Sequence, residues 1–546
     1  MLDLWYKNAV FYCLDVETFQ DSNGDGIGDF PGLADRLDHL ERLGVTCIWL
    51  NPFYPSPNRD NGYDVTDFYG VDPRHGTLGD FVAFVHAARD RGMRVIIDLV
   101  VNHTSVDHPW FRSSRSSPDS PYRDWYVWKD HEPEDKSEGI IFPGEQEEVW
   151  TRDEEADAWY LHRFYRHQAD LNIANPDVRA EITRIMGFWL ALGVSGFRVD
   201  AVPFLIEYKG LADIPDGRQD PFVLLTEMHD FMDWRRAEAI LFAEANVPYE
   251  KAPDFFGTGS DGSGARMQLV FDFIGNQAMW LSLVRGSARP VREALAARPA
   301  PGGQGQWATF LRNHDELSLD KLTDEQRQEV YDAVGPKKTM QIYDRGLRRR
   351  LAPMLDGDPD RIALAFSINM ALPGSPVIWY GDEIGLGENL DLDERNAVRC
   401  PMQWTDAKDA GFSSADPDTF VRALAQGKGF GPGDINAARQ THEAGSLLNR
   451  VRALVDARRG AFEIGRGTHD VLDAPDTLLA LRAAWQGETT ISLHNLCEEA
   501  VEWTVPKIEG VEELFTLVGE EPGGRIAPGA SLTLPAYGYA WLRTRP

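Results

Sequence analysis

The chain has 546 residues, of which 43% are hydrophobic and 11% aromatic, so it is long enough for a large barrel or for several domains. Its formal net charge of −31 argues against nucleic acid and anionic membranes as partners. The four scattered cysteines form no C-x-x-C pair, and no apolar run suits a membrane span or a secretion signal, so we expect a cytoplasmic protein without a zinc site or a disulfide framework.

Eight short apolar segments, separated by helical patterns, predict an α/β fold of the (β/α)8 TIM-barrel type. The predicted strands cover residues 10–15, 45–50, 94–100, 195–200, 239–245, 268–273, 307–313 and 375–381. The interval 104–170 is too long for one helix and predicts an inserted subdomain B after the third strand. Alternating strand patterns after about residue 465 predict a C-terminal antiparallel β domain. The expected divisions are 1–103 and 171–464 for the barrel, 104–170 for the insertion and 465–546 for the β domain.

Oxygen-bearing side chains alternate with glycines in "DSNGDGIGDF", at Asp21, Asn23, Asp25 and Asp29. An EF-hand loop needs Glu at its twelfth position, where this chain has Gly32, and the preceding residues read as a strand. A phosphate loop needs a Lys-Ser/Thr pair at the start of a helix, which does not follow. The pattern indicates either a short cation loop, with the carbonyl of Ile27 as a further ligand, or an Asx- and Gly-rich turn without an ion.

Carboxylates at the carboxyl ends of the predicted strands are candidates for catalysis, because barrel active sites lie there. Arg198 and Asp200 share one face of the fourth strand, so the arginine is expected to keep a nucleophilic Asp200 ionised. Glu244 ends an apolar strand, which raises a carboxyl pKa and suits a general acid. Asp315 follows His314 at the end of the seventh strand. The alternative to catalysis is a set of ion pairs on the barrel rim.

Four motifs carry a resemblance to a known family: "DLVVNH", "GFRVDA", "LFAEAN" and "LRNHDE", in that order on their strands. Together with "QADLN" (168–172), they are similar to the conserved regions of the α-amylase family, glycoside hydrolase family 13. The segments "DSNGDGIGDF", "NGYDV", "LPGSPVIWYGDEIG" and "RCPMQW" resemble the branch that contains oligo-1,6-glucosidases and trehalose synthases. "DAVPFL" and "RRRLAPML" resemble trehalose synthases, whereas "EANVPYE" and "FDFIGNQAMW" depart from them.

The resemblance implies a role for each matched residue. Asp200 matches the nucleophile, Glu244 the acid/base, and Asp315 the residue that grips and distorts the sugar. The implied substrate contacts are Tyr63, Asp64, His103, Arg198, His314 and Arg399, of which Arg399 is equally compatible with a structural ion pair. The opening loop matches a structural Ca²⁺ (or Mg²⁺) site formed by Asp21, Asn23, Asp25, Ile27 and Asp29. Asn102 and Asp170 match a second metal site of some relatives, which we expect this chain to lack.

The implied reaction begins with two carboxylates about 5 Å apart, the spacing of a retaining mechanism through a covalent β-glucosyl-enzyme. If the released glucose attacks this intermediate, maltose becomes trehalose; if water attacks, the enzyme is an α-glucosidase of short α-glucosides. We expect a small α-glucoside as the partner, no organic cofactor, and no nucleic acid or membrane; the sequence is also compatible with a homo-oligomer.

Overall fold

Eight parallel strands close into a barrel in the computed structural model, which describes residues 3–207, 209, 221–257, 265–508, 511–519 and 522–545. Each strand pairs with the next one along the chain, and the last pairs with the first. The strands are β1 (Phe11–Leu14), β2 (Cys47–Leu50), β3 (Arg94–Leu99), β4 (Gly196–Val199), β5 (Ile240–Ala243), β6 (Leu269–Phe271), β7 (Gln306–Phe310) and β8 (Ser375–Trp379). The predicted barrel is therefore confirmed, with all eight strands in their expected places.

Aromatic side chains fill the barrel interior. Phe242 of β5 packs on Phe271 of β6 with ring centroids 4.3 Å apart, and Trp49 of β2 packs on both at 5.9 and 5.6 Å. Such a packed interior leaves room for a site only at the strand ends.

Helices connect the strands and surround the barrel. Those of eight residues or more are Leu78–Asp90, Pro109–Ser116, Pro176–Ala191, Val223–Arg236, Phe273–Arg285, Arg289–Ala297, Asp324–Val334, Pro359–Ala371 and Leu447–Gly460. The shorter ones are Val16–Phe19, Phe30–Asp35, Leu37–Leu43, Val202–Leu205, Ala252–Phe256, Leu351–Met354, Ala437–His442 and Phe462–Arg466. Among the described helices, none is both long and apolar enough to cross a membrane.

Two excursions from the barrel stand above its carboxyl end. The segment after β3 forms two small sheets: His103–Ser105 pairs with Gln168–Asp170, and Ala158–Leu161 lies between Trp128–Lys129 and Trp150–Asp153. Between β7 and β8, a second excursion that the sequence did not predict forms a three-stranded sheet from Leu317–Ser318, Gln341–Ile342 and Gly346–Leu347.

The C-terminal region is an antiparallel β domain, as predicted. One sheet has the order Thr468–Val471, Leu478–Trp485, Glu488–Asn495, Tyr539–Arg543, Leu514–Val518 and Arg525–Ile526, and a second pairs Val501–Thr504 with Ser531–Leu534. The strands Leu514–Val518 and Arg525–Ile526 were not predicted. Ser531–Leu534 and Tyr539–Arg543 are separate strands, because Tyr537 between them has a φ of 53°, which extended backbone does not allow.

Candidate active site

A cavity of about 310 Å³ opens where the barrel strands end. Five residues that the sequence analysis singled out line it: Tyr63, His103, Asp200, Glu244 and Asp315. Four phenylalanines form much of its apolar wall: Phe142, Phe164, Phe204 and Phe273. A partly apolar pocket with a few convergent polar groups is the usual form of a small-molecule site.

One guanidinium group holds two of the carboxylates together. Arg198 donates from Nη1 to Asp200 at 2.6 Å and from Nη2 to Glu244 at 2.7 Å. The pairing of β4 with β5 sets this arrangement, because Asp200 and Glu244 each follow directly after their strands. Since both carboxylates bind the same planar group, they lie within a few ångströms of each other, which suits a retaining pair.

The backbone turns sharply just after Asp200. Ala201 has a φ of 49°, in the left-handed region that residues with a side chain rarely adopt, and its N–H donates to Glu244 at 3.1 Å. The turn thus fixes the acid/base candidate against the strand that carries the nucleophile candidate. Backbone strain of this kind is common at functional sites.

The two carboxyl groups differ in acidity. Burial raises the pKa of Asp200 to about 6, against the opposing effect of Arg198. Burial likewise raises the pKa of Glu244 to about 7; Arg198 lowers it, and the charge of Asp200 raises it further. Burial thus outweighs the arginine, yet a pKa of about 6 leaves Asp200 mostly ionised at neutral pH. Asp200 still loses its proton before Glu244, which is the order that a nucleophile and a general acid require.

Asp315 is the most strongly ionised member of the group. Burial alone would raise its pKa, but the His314 ring and the guanidinium groups of Arg395 and Arg399 outweigh burial and hold the pKa well below its usual range. Arg395 donates to Asp315 at 2.8 Å and Arg399 at 3.1 Å. An ionised carboxylate therefore lines the same pocket as the other two carboxyl groups.

Tyr63 ties the floor of the pocket to the barrel. Its hydroxyl lies 2.6 Å from both Asp98 Oδ2 and His314 Nε2, and its ring stacks on the His314 ring with centroids 5.7 Å apart. His103 lies 3.1 Å from the Tyr63 carbonyl oxygen. His103 lines the pocket, whereas His314 is fully buried behind Tyr63 and does not line it, so its implied sugar contact stays a prediction.

Besides Arg198 and His314, two further implied substrate contacts, Asp64 and Arg399, lie behind the pocket wall. Asp64 is fully buried and accepts hydrogen bonds from Ser56 Oγ at 2.7 Å and from the backbone of Asp60 at 3.2 Å. Arg399 is 1% exposed and donates to the His314 carbonyl oxygen at 2.9 Å. Neither lines the cavity, so Asp64 braces the loop that presents Asp60, and Arg399 matches the structural alternative.

Asp60 and Arg395 are among the pocket-lining residues that sequence reasoning missed. Arg395 bridges Asp60 at 3.0 Å and Asp315 at 2.8 Å, so it joins loops that are far apart in the chain. Both lie close in the sequence to residues that were predicted, since Asp60 is three residues before Tyr63 and Arg395 is four residues before Arg399.

The alpha-amylase catalytic-domain model matches residues 16–466, which include every residue of this pocket. The chain belongs to the alpha-amylase family.

The similar proteins of this family include trehalose synthases and oligo-1,6-glucosidases. Trehalose synthase/amylase TreS of Mycobacterium tuberculosis is 40% identical over 99% of this chain and 90% of its own. An oligo-1,6-glucosidase of Heyndrickxia coagulans is 30% identical over 92% of this chain and 94% of its own. Among solved structures, trehalulose synthase MutB of Pseudomonas mesoacidophila MX-45 superposes with a TM-score of 0.77 at 27% identity over 99% of both chains, and a MutB variant has been solved with its substrate sucrose.

The position that matches a second metal site in some members of the family holds a lysine side chain. The ammonium of Lys209 lies 2.8 Å from Asp170 Oδ2, 2.9 Å from Asn102 Oδ1, and 3.3 Å from the carbonyl oxygens of Asn102 and Leu171. A positive charge thus already sits among these oxygens and would repel a metal ion there.

The side chains of the predicted cation loop turn toward the loop's own backbone. Asp21 accepts from three N–H groups of the loop at 2.8 to 2.9 Å, Asn23 and Asp25 each accept from the residue two positions ahead, and Asp29 caps the helix Phe30–Asp35. In the part of the chain that the structure describes, no group of three His, Cys, Asp or Glu is arranged to hold a metal. The all-oxygen donor set, completed by the Ile27 carbonyl, fits a hard cation, so Ca²⁺ in this loop stays a prediction.

Proposed function

We propose that the chain converts maltose to trehalose by transfer within the closed pocket, with hydrolysis as a side reaction. The observation that carries the chemistry is the binding of Asp200 and Glu244 by the single Arg198 guanidinium group. The choice of maltose and trehalose rests on the 40% identity to a trehalose synthase over nearly the whole chain.

In the first step, a carboxylate oxygen of Asp200 bonds to the anomeric carbon of the non-reducing glucose while the glycosidic bond breaks. Glu244 gives its proton to the leaving O4 of the second glucose. Asp315 faces the same sugar, and its negative charge favours the positive charge that develops on the ring in the transition state. The product of this step is a β-glucosyl-enzyme with free glucose beside it.

In the second step, Glu244 is a carboxylate and acts as a base. It takes the proton of the anomeric hydroxyl of the released glucose, whose oxygen attacks the glucosyl carbon and frees Asp200. Trehalose is an isomer of maltose, so no atom enters or leaves. If water takes the place of glucose, the same two residues release two glucose molecules instead.

Enclosure of the pocket decides between these outcomes. Phe142 of the insertion packs on Tyr165 and on Tyr343 of the β7–β8 excursion, with ring centroids 4.9 and 4.7 Å apart. Both tyrosine hydroxyls donate to Glu394. We call these four residues the aromatic wall. It separates the active-site cavity from an outer cavity lined by Tyr343 and Glu394, and so restricts the approach of water.

The alternative is an α-glucosidase, which the oligo-1,6-glucosidase relative favours. Incubation with maltose in ¹⁸O-water separates the two. Transfer gives unlabelled trehalose, whereas hydrolysis gives glucose labelled at its anomeric oxygen, read at early times before exchange through the open-chain aldehyde. Labelled glucose without trehalose at any maltose concentration would establish the α-glucosidase and exclude the isomerase.

A further inference from the structure

Arg422 is a buried arginine that is hydrogen-bonded to three separate parts of the chain. Its side chain is 7% exposed. The Nη2 group donates to Glu17 Oε2 at 2.5 Å and also to Asn61 Oδ1, and the Nη1 group donates to Asn396 Oδ1 at 3.1 Å. Because these three partners are far apart in the sequence, the guanidinium group holds together segments that no local pattern connects.

Each of the two asparagines that Arg422 binds is next to a residue of the active-site pocket. Asn61 directly follows Asp60, and Asn396 directly follows Arg395. Asp60 and Arg395 line the cavity and lie 3.0 Å apart. Neither Arg422 nor the asparagines are among the described residues that line it. Two arginines therefore join the same two segments, Arg395 from the side of the cavity and Arg422 from behind.

The third contact provides a negative charge for Arg422. Glu17 lies in the helix Val16–Phe19, which follows β1, and it is 3% exposed. Burial alone would raise the pKa of Glu17, but Arg422, His75 and Arg74 outweigh burial and hold the pKa below its usual value. Glu17 is therefore ionised, and its ion pair fixes the guanidinium group of Arg422 against the end of the barrel.

The alternative is that Arg422 only neutralises Glu17. For that, a single cation is enough, and Arg74 already lies 3.1 Å from the same carboxylate. The observed arrangement uses both terminal nitrogens of Arg422 and reaches three acceptors. A planar guanidinium group can span acceptors in this way, whereas a lysine ammonium group is a point charge. The geometry thus exceeds what charge neutralisation requires.

We propose that Arg422 is a positioning residue for the active-site pocket. It holds the loop that carries Asp60 against the short helix Glu394–Val398, and so keeps Arg395 in place to bind Asp315. Arg422 itself does not touch the substrate. The inference rests on the proposed α-glucoside chemistry, and it holds for transfer and for hydrolysis alike because both pass through the same glucosyl-enzyme.

The test is Arg422→Lys, which keeps a positive charge beside Glu17 but cannot span both asparagines. We expect Tm to fall by less than about 3 °C. The kcat/KM for an aryl α-glucoside should fall roughly tenfold, because a small displacement of groups that orient the substrate is costly. The inhibition constant of deoxynojirimycin, an iminosugar of the glucose configuration, should rise by a similar factor. A purely structural ion pair would leave that constant unchanged.

The matched control is Arg74→Lys, which alters the other arginine bound to Glu17. The second partner of Arg74 is Asp72, which is not a residue of the cavity. This control should keep both kcat/KM and the inhibition constant within about twofold of the wild type, because lysine preserves the charge and the pocket segments are untouched.

Two further variants each remove one acceptor. Asn61→Gly suits its position, because Asn61 has a φ of 50°, which glycine adopts readily. Asn396→Ala removes the other acceptor. Each variant should lower kcat/KM on its own. In the Arg422→Lys background neither should lower it further, because the contact is already lost and the effects of coupled residues are not additive.

The outcomes that would overturn the proposal are distinct from those that concern the reaction. An active wild type together with an Arg422→Lys variant whose kcat/KM and inhibition constant stay within about twofold would overturn this inference alone. Additive losses in the double variants would overturn it as well. If Arg422→Lys does not fold, unchanged kcat/KM in both asparagine variants would have the same consequence. A wild type that cleaves no α-glucoside would refute the proposed function and this inference together.

Discussion

At the scale of single residues, Arg198 organises the chemistry because it contacts both carboxylates that the reaction uses. The first prediction is that Asp200→Asn folds but keeps less than about 1% of turnover on any α-glucoside, because an amide cannot form the covalent intermediate. The pKa of Asp200 is raised in the folded state, so its ionised form is less favourable there than in the unfolded chain. Removal of this charge in Asp200→Asn should therefore leave Tm at neutral pH no lower than in the wild type. Turnover of Asp200→Asn and its Tm, measured on the same preparation, check both parts.

Glu244→Gln is the companion variant at the acid/base position. It should recover formation of the glucosyl-enzyme on aryl glucosides with good leaving groups, which need no proton. A burst of phenol released from the aryl glucoside, while the same variant leaves maltose intact, would show this. If activated substrates gain nothing over maltose, Glu244 is not the acid.

The second prediction concerns pH. The first step needs Asp200 without its proton and Glu244 with its proton, and their pKa values are about 6 and about 7. The kcat/KM for maltose should therefore fall below about pH 6 and above about pH 7, a narrow bell whose two apparent pKa values belong to the pair. In Glu244→Gln with an aryl glucoside, the alkaline limb should vanish while the acidic limb stays. An unchanged alkaline limb would assign it to another group.

At the scale of elements, the barrel was predictable and several attachments were not. A short apolar run followed by a helix is a local pattern, and all eight such runs became strands. The strand Leu514–Val518 and the sheet between β7 and β8 carry weaker patterns and are fixed by tertiary pairing. The same distinction holds in the site: Asp200 and Glu244 follow strands and were found. Arg395 meets Asp60 across the fold and was missed.

The third prediction tests the loop at residues 21–29. If it binds Ca²⁺, removal of the ion by a chelator should lower Tm of the wild type, and added Ca²⁺ should restore it. Asp21 accepts so many loop hydrogen bonds that its replacement would destabilise the fold with or without an ion. Asp25→Asn is a cleaner change, because Asn can still accept the single bond from Ile27 N–H while the ligand charge is lost.

The control for Asp25→Asn is Asp67→Asn, which alters an exposed aspartate that accepts the same kind of bond from the residue two positions ahead. The response of Tm to chelator should disappear in the first variant and persist in the second. A wild-type protein that contains no metal by elemental analysis, and whose Tm ignores both chelator and Ca²⁺, would leave the Asx-rich turn as the correct interpretation.

At the scale of the whole molecule, three distant parts of the chain meet to enclose the reaction. The insertion contributes Phe142 and Tyr165, the β7–β8 excursion contributes Tyr343, and the segment after β8 contributes Glu394. Arg395, the next residue, lies over the Phe142 ring at 5.3 Å and binds Asp60 and Asp315 on the inner side. The aromatic wall and the charged lining of the donor pocket are therefore coupled through two adjacent residues.

The last prediction follows from this coupling. Tyr343→Phe removes a hydroxyl that donates to Glu394 at 3.1 Å and lies 3.2 Å from the Tyr165 hydroxyl, so the wall should open more often and admit water. Loss of a hydrogen bond to a charged group costs about 1.5–3 kcal/mol, which allows the ratio of glucose to trehalose from maltose to rise by roughly tenfold or more. Cleavage of an aryl glucoside should change by less than about twofold, because the catalytic carboxylates are untouched.

The control is Tyr331→Phe, in which a buried hydroxyl without a hydrogen-bond partner among the described residues is removed from the helix Asp324–Val334. Product ratios measured by NMR should be changed in the first variant and unchanged in the second; equal ratios in both would mean that the wall does not control the fate of the glucosyl-enzyme.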